Sequence, residues 1–226
     1  MKKAARNEGD VIAMLLDPPP EGPRLRKRER TQRALVIAAI QVIARDGLAA
    51  ATPGQIASAA DVTSVTFYNY FKSKAEIVNA VGLFIAETIR RRSAPGRAAL
   101  ATSAERMAAG CLRYLHLAEL SPGFAMLVVE VAEAEPAFLE LIGTFVRQEL
   151  RGGIRDNDFA PLRDTVATDL VVGSVMRAMR RIAQGGAPRS HRTDITLAIL
   201  RGLGLPSAEA RRIVGLPLDA LIGKVP

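Results

Sequence analysis

The segment TPGQIASAADVTSVTFYNYFKSK, from Thr52 to Lys74, carries three helix-start signals in close succession. Thr52 can cap a helix with Pro53 at its first position, where the missing N–H costs nothing. Asp61-Val62 turns the chain, Thr63 can cap a second short helix to about Phe71, and Ser73 begins a longer one. Ala57, Ala59 and Ala60 are small enough for the two short helices to cross closely, with Ile56, Val62 and Phe67 filling the space between them.

The flanking sequence extends the same pattern. From about Arg24, Leu35, Val36, Ala39, Ile40, Val42 and Ile43 recur at three- and four-residue steps, and the helix stops at Asp46-Gly47. The helix from Ser73 has the inward stripe Ile77, Val81, Phe84, Ile85 and Thr88 and is expected to end at Arg90–Arg92, before Ser93-Ala94-Pro95-Gly96. Further helices are expected over Thr102–Leu120, Phe124–Glu135, Pro136–Arg151 (ended by Gly152-Gly153), Leu162–Gln184 and His191–Leu203. Ser207–Leu221 reads as one more short helix or an appendage. No stretch alternates as a strand does, so the fold class is all-α. The expected division is a flexible extension over residues 1–23, whose DPPPEGP offers little to bury, a first domain over 24–72 and a second over 73–226.

Several classes are set aside by composition. Apolar runs such as Ala34–Ile40 fall far short of the ~20 residues needed to span a bilayer. Val11–Leu16 is too short for a secretion signal and runs into Asp17 and three prolines. One cysteine, Cys111, and two histidines make neither an internal disulfide nor a typical zinc cage, and His116 has only Glu119 nearby. The expectation is a cytoplasmic protein with no metal and no cofactor. Its charge is uneven: residues 1–95 hold 15 Lys and Arg against 9 Asp and Glu. Arg24–Arg33 alone holds six basic residues and one acid, a density that suits phosphate neutralisation as well as a solvated helix start.

Two short helices joined by a tight turn fit a helix-turn-helix, whose second member enters the DNA major groove. That helix offers hydroxyls and an amide from Ser64, Thr66 and Asn69, with Tyr68 and Tyr70 close by. A merely solvated face would hold more Glu and Lys; Tyr68 and Tyr70 also read as packing residues.

Through Asp46-Gly47, Ile56-Ala57, Ala60, Val62 and the run Thr66-Phe67-Tyr68-Asn69-Tyr70-Phe71-Lys72-Ser73-Lys74, the segment Arg33–Val81 resembles the DNA-binding domain of the tetracycline-repressor (TetR) family of bacterial transcription regulators. The resemblance implies that Thr52 contacts phosphate, that Thr63, Ser64, Val65, Thr66, Tyr68 and Asn69 face the groove, and that Tyr70 and Lys74 clamp the backbone. It departs from the family at Asp61, where glycine is usual, and at Ser64, where a longer polar or basic side chain is common.

The resemblance further implies a ligand cavity among the middle helices and a homodimer formed through residues 162–184 and 191–203. Small and apolar residues along Val166, Leu170, Val171, Gly173, Ser174, Met176 and Ala178, and along ITLAILRGLGL, suit close helix contact. Met107, Cys111, Tyr114, Phe124, Met126 and Phe145 are the candidate cavity lining, with ordinary core as the other reading. Cys111 has mainly apolar neighbours and reads as an inert thiol. The chain carries no G-x-S-x-G, P-loop, H-E-x-x-H or dinucleotide fingerprint, and an enzyme is not expected. The expected function is a repressor released from an inverted-repeat operator by a small apolar effector. A helical protein-binding adaptor, an activator and a co-repressor-dependent repressor stay open as alternatives.

Overall fold

The computed structural model describes residues 11–12 and 26–223. The first helix, α1 (Lys27–Asp46), buries Leu35, Val36, Ala39, Ile40, Val42 and Ile43 as its periodicity requires, and ends at Gly47 with φ of 83°. Two short helices follow, α2 (Pro53–Ala59) and α3 (Ser64–Tyr68), then the long α4 (Lys74–Ala98). The rest of the chain forms α5 (Ser103–Leu120), α6 (Pro122–Ala134), α7 (Pro136–Arg155), α8 (Asp164–Thr168), a π turn over Asp169–Gly173, α9 (Ser174–Ala183), α10 (His191–Gly202), α11 (Ser207–Val214) and α12 (Leu218–Ile222). The described residues contain no strand.

Capping side chains set five of the helix starts. The hydroxyls of Thr52, Thr63, Ser73, Thr102 and Ser121 each accept from the backbone N–H three residues on, satisfying a donor that the first turn leaves open. Ser121 thus opens α6, with Pro122 at its first position, where a break before Phe124 was expected.

α1 packs on α2, α4 and α6, while α5 lies at the centre of the remainder, against α6, α7, α9, α10, α11 and α12. One continuous core runs from Leu35 and Ile56 through Ile85 and Leu115 to Ile213. The expected extension 1–23 lies outside the described residues except at Val11 and Ile12. Val11 is buried in this core, so part of that segment does offer apolar surface to bury.

Three expected helix ends are corrected, each by a tertiary contact. α4 runs past Ser93-Ala94-Pro95-Gly96 to Ala98. Proline in a helix interior costs roughly 3 kcal/mol, but here it stands in the last turns, where Arg97 pairs with Glu149 of α7 and Gly96 lies against the backbone of Ile222 and Gly223. α7 runs through Gly152-Gly153 to Arg155. These glycines permit close approach: a Cβ on Gly152 would lie 2.7 Å from Ser103 Oγ, and one on Gly153 2.2 Å from Phe159 Cδ2. The stretch Leu162–Gln184 starts later, at Asp164, whose carboxylate is held by Arg151, and is interrupted by the π turn. α3 is also shorter than expected, ending at Tyr68, and Ser207–Leu221 holds two short helices.

Candidate nucleic-acid interface and ligand cavity

The turn between α2 and α3 takes a left-handed conformation at Asp61, with φ of 55°. Val62 N–H donates to Ala57 O (3.0 Å) and Asp61 N–H to Ser58 O (3.1 Å), the paired bonds of a Schellman ending with Asp61 in the place glycine favours. Ile56, Ala57 and Phe67 are buried and Val62 half-buried, closing α3 against α2, while Ala59 faces solvent instead of the crossing. Phe67 anchors α3: its ring is fully buried and meets Tyr68 edge-on at 5.4 Å.

With Phe67 inward, the opposite side of α3 stands in solvent. Thr63, Ser64, Val65, Tyr68 and Asn69 are exposed, Val65 at 72% and Tyr68 at 54%, and Thr66 is half-buried. Thr63 and Thr66 hydroxyls bond each other at 3.0 Å, and Thr63 also caps the helix. Among the described residues, the side chains of Ser64, Tyr68 and Asn69 have no hydrogen-bond partner, so their donors and acceptors are available to another molecule.

The flanking residues are differently placed. Thr52 is exposed, but its hydroxyl accepts from Gln55 N–H and donates to Gln55 Oε1 (2.8 Å), locked in a capping box. Tyr70 is half-buried, with the Arg28 guanidinium 6.0 Å from its ring centre, which brings the basic end of α1 next to α3. Arg26, Lys27, Arg28 and Arg30 are exposed there, and Arg24 lies outside the described residues. Lys74 Nζ donates to the carbonyl oxygens of Leu48 and Ala49, tying the start of α4 to the turn after α1.

A separate cavity of ≈ 100 Å³ opens among α5, α7, the π turn and α9. It brings together Met107, Cys111, Tyr114 and Phe145 with Ile142, Val146, Val171, Val172, Val175 and Met176. Phe124 is fully buried in the core away from this lining, and Met126 is half-buried outside it. Burial pushes the Cys111 thiol up to about 12, and the Tyr114 hydroxyl likewise up to about 12 against a smaller opposing pull from Arg113. Both are therefore neutral at physiological pH. A π turn often marks a functional wall, and this one carries Val171 and Val172.

The rim of the cavity is charged. Glu149, 6% exposed, accepts from Arg97 and from Arg106 Nε (2.8 Å). Sequence reading missed Arg97, Arg106 and Glu149. Glu149 sits in the apolar stripe of Ile142, Val146 and Leu150, and a carboxylate in an apolar stripe is the signal that singles it out. Among the described residues, no group of three His, Cys, Asp or Glu side chains is placed to hold a metal ion, and no helix is long and apolar enough to cross a membrane.

An all-helical chain with a solvent-facing helix-turn-helix at one end and a lined cavity among its later helices has the design of a ligand-responsive DNA-binding regulator. The family model for bacterial regulatory proteins of the tetR family matches residues 35–81, and that for the tetracyclin repressor-like C-terminal domain matches residues 102–215. The second alone spans half of the chain, and the chain belongs to the TetR family of bacterial transcription regulators. No curated protein sequence matches it significantly. Among solved structures it is similar to RolR in complex with resorcinol (24% identity, 84% of this chain and 96% of that one, TM-score 0.71). It is also similar to the regulator FadR from Bacillus subtilis in complex with stearoyl-CoA (18%, 77% and 97%, TM-score 0.64) and a TetR family regulator from Marinobacter aquaeolei VT8 (14%, 80% and 100%, TM-score 0.62). At these identities the likeness is one of fold.

Proposed function

We propose that this protein is a homodimeric repressor that leaves an inverted-repeat operator when a small, largely apolar molecule fills the cavity of α5, α7 and α9. The observation that carries the reading is the set of exposed, unpartnered side chains of Ser64, Tyr68 and Asn69 beside a fully buried Phe67. A helix anchored by one face, with idle hydrogen-bonding groups on the other, suits the reading of base edges. In this reading residues 24–72 are the DNA-binding domain and 73–226 the effector and dimer domain. Thr63, Ser64, Val65, Thr66, Tyr68 and Asn69 face the groove, while Thr52, Tyr70, Lys74 and the basic start of α1 meet phosphates.

The dimer reading is supported by a solvent-facing stripe of modest side chains, in which Val166 is 52% exposed, Leu170 half-buried, and Gly173 and Ala198 exposed. A two-fold pair across these helices sets two copies of α3 about one DNA turn, or a multiple of it, apart. The effector acts by population shift: it binds better to a conformation in which the two recognition helices are wrongly spaced, and DNA affinity falls by the ratio of its affinities for the two states. The resorcinol of RolR and the stearoyl-CoA of FadR differ widely in size, so neither transfers to this chain by likeness alone.

Gel shift and anisotropy titrations against the DNA upstream of the protein's own coding region test the reading. The expected result is tight, salt-dependent binding to an inverted repeat by a dimer. Binding that does not fall with salt, or no DNA binding at all, points instead to a protein-binding adaptor.

A further inference from the structure

The apolar cavity has a neighbour of different character. A second cavity of ≈ 100 Å³ lies on the other side of Gly110 and is lined by Arg90, Arg97, Arg106 and Arg113, with Ile89, Tyr114, Phe145 and Leu221 among its apolar members, and no carboxylate. The two share Arg97, Arg106, Gly110, Tyr114 and Phe145, so they adjoin along one wall.

The four guanidinium groups are not equally committed. Arg90 is held in a two-bond pair with Glu87 on the outer surface of α4. Arg106 is spent on structure: Nε donates to Glu149, one terminal nitrogen to Leu100 O (3.1 Å) and the other to Ser103 Oγ (2.8 Å). Arg97 uses one terminal nitrogen on Glu149 and has others free. Arg113 has no hydrogen-bond or ion-pair partner among the described residues, though it is only half exposed to water. Burial lowers the Arg113 guanidinium from its usual range, and burial with the neighbouring Arg106 does the same to Arg97. Arg97 and Arg106 repel each other, and Arg113 is partly desolvated without an opposite charge, so an anion held in this concavity relieves both costs.

Where the two spaces adjoin, the chain offers the smallest side chain possible. Gly110 lies in the interior of α5, where glycine is less favourable than alanine, and a Cβ there would meet nothing within 4 Å. Packing therefore does not demand the glycine, and the open space beside it borders both cavities.

We infer that the effector is a small organic anion, with a carboxylate-like head held by Arg113 and the free face of Arg97 and an apolar body passing Gly110 into the cavity lined by Met107, Cys111 and Val175. This rests on the proposed reading of the cavity as the effector site and names the chemistry that site selects: bidentate guanidinium contacts fix the head, and the neutral, apolar lining receives the body.

The test is isothermal titration calorimetry of the full-length protein with straight-chain acids from hexanoate to decanoate and with 3-phenylpropionate, each paired with the alcohol of the same skeleton. At least one acid is expected to bind tenfold or more tighter than its alcohol, with a preference that shrinks as salt rises. Arg113→Met, its helicity checked by circular dichroism, should bring acid and alcohol to equal affinity, and Arg113→Lys should restore part of the difference. Gly110→Leu should weaken both partners of every pair. Alcohols binding as tightly as acids, or a preference that survives Arg113→Met, overturns the inference and leaves the repressor reading standing. Failure of every probe to bind also overturns it, while operator binding measured without ligand judges the repressor reading separately.

Discussion

The backbone N–H of Leu48 donates to the Glu130 carboxylate at 2.6 Å, across 82 positions of sequence. The carbonyl of the same Leu48 accepts from Lys74, so both polar groups of this residue are bound by side chains, one from α6 and one from the start of α4. The turn after α1 is thereby fixed to α4 and α6, two of the helices on which α1 rests. Removing the acceptor with Glu130→Ala should cost about 1.5 kcal/mol, the lower range for a hydrogen bond to a charged group. It should also speed exchange of the Leu48 amide, whereas Glu130→Gln, which keeps a carbonyl oxygen there, should lose much less. Urea midpoints and amide exchange measure both.

Asp61 holds a left-handed conformation at a Schellman ending. Asp61→Gly removes that backbone cost and should stabilise the protein by about 1 kcal/mol, the low end of the left-handed penalty, read as a rise in thermal midpoint with no change in helical content.

Asn69 and Lys74 should separate in DNA binding. Asn69→Ala removes an exposed, unpartnered amide, so it should change which operator is preferred, by about 1–3 kcal/mol of discrimination, and leave non-specific binding intact. Lys74→Ala should weaken binding to all sequences alike and lower the salt slope by about one. It should also lower stability, because Leu48 and Ala49 lose their donor. Equal loss on every sequence in both variants contradicts the assignment.

Glu149 is the buried partner of two arginines. Glu149→Ala leaves Arg97 and Arg106 facing each other unpaired and should cost about 3 kcal/mol, the low end for stripping one partner from a buried pair. Chemical denaturation reads this directly.

The Cys111 thiol and the Tyr114 hydroxyl are both raised to about 12, from ordinary values of 9.0 and 10.0, by burial. A group whose folded value is raised holds its proton more tightly in the folded state. The stability it contributes is therefore complete below the unfolded value and declines as pH climbs towards the folded one. Stability should fall between about pH 9 and 12 through these two groups. Cys111 should be inert to thiol reagents at pH 8 until the protein is unfolded. Thermal melts across that window and a thiol titration with and without denaturant check the two statements.

What the sequence disclosed was chemistry that acts over a few residues. Thr52, Thr63, Ser73 and Thr102 announce helix starts because a cap needs only the next turn, and Phe67 announces its burial through the pattern around it. Gly152 and Gly153 were misread as a terminator because their reason lies in Ser103, on another helix, and in Phe159, which folds back from the turn after α7. Pro95 was misread because its helix is held by Glu149 and by the backbone near Ile222. Arg97 and Arg113 pass for surface charge in any local window. Only the fold shows that they share a concavity with Arg106.

α4 begins at Lys74, against the turn that carries Leu48, and ends beyond Arg97, at the rim of both cavities. Its 25 residues make a single rod, ~37 Å long at 1.5 Å per residue. Such a rod is a lever: pivoted near one end by about 3°, it carries the other end through about 2 Å, a distance that matters when two reading heads must match the pitch of a double helix.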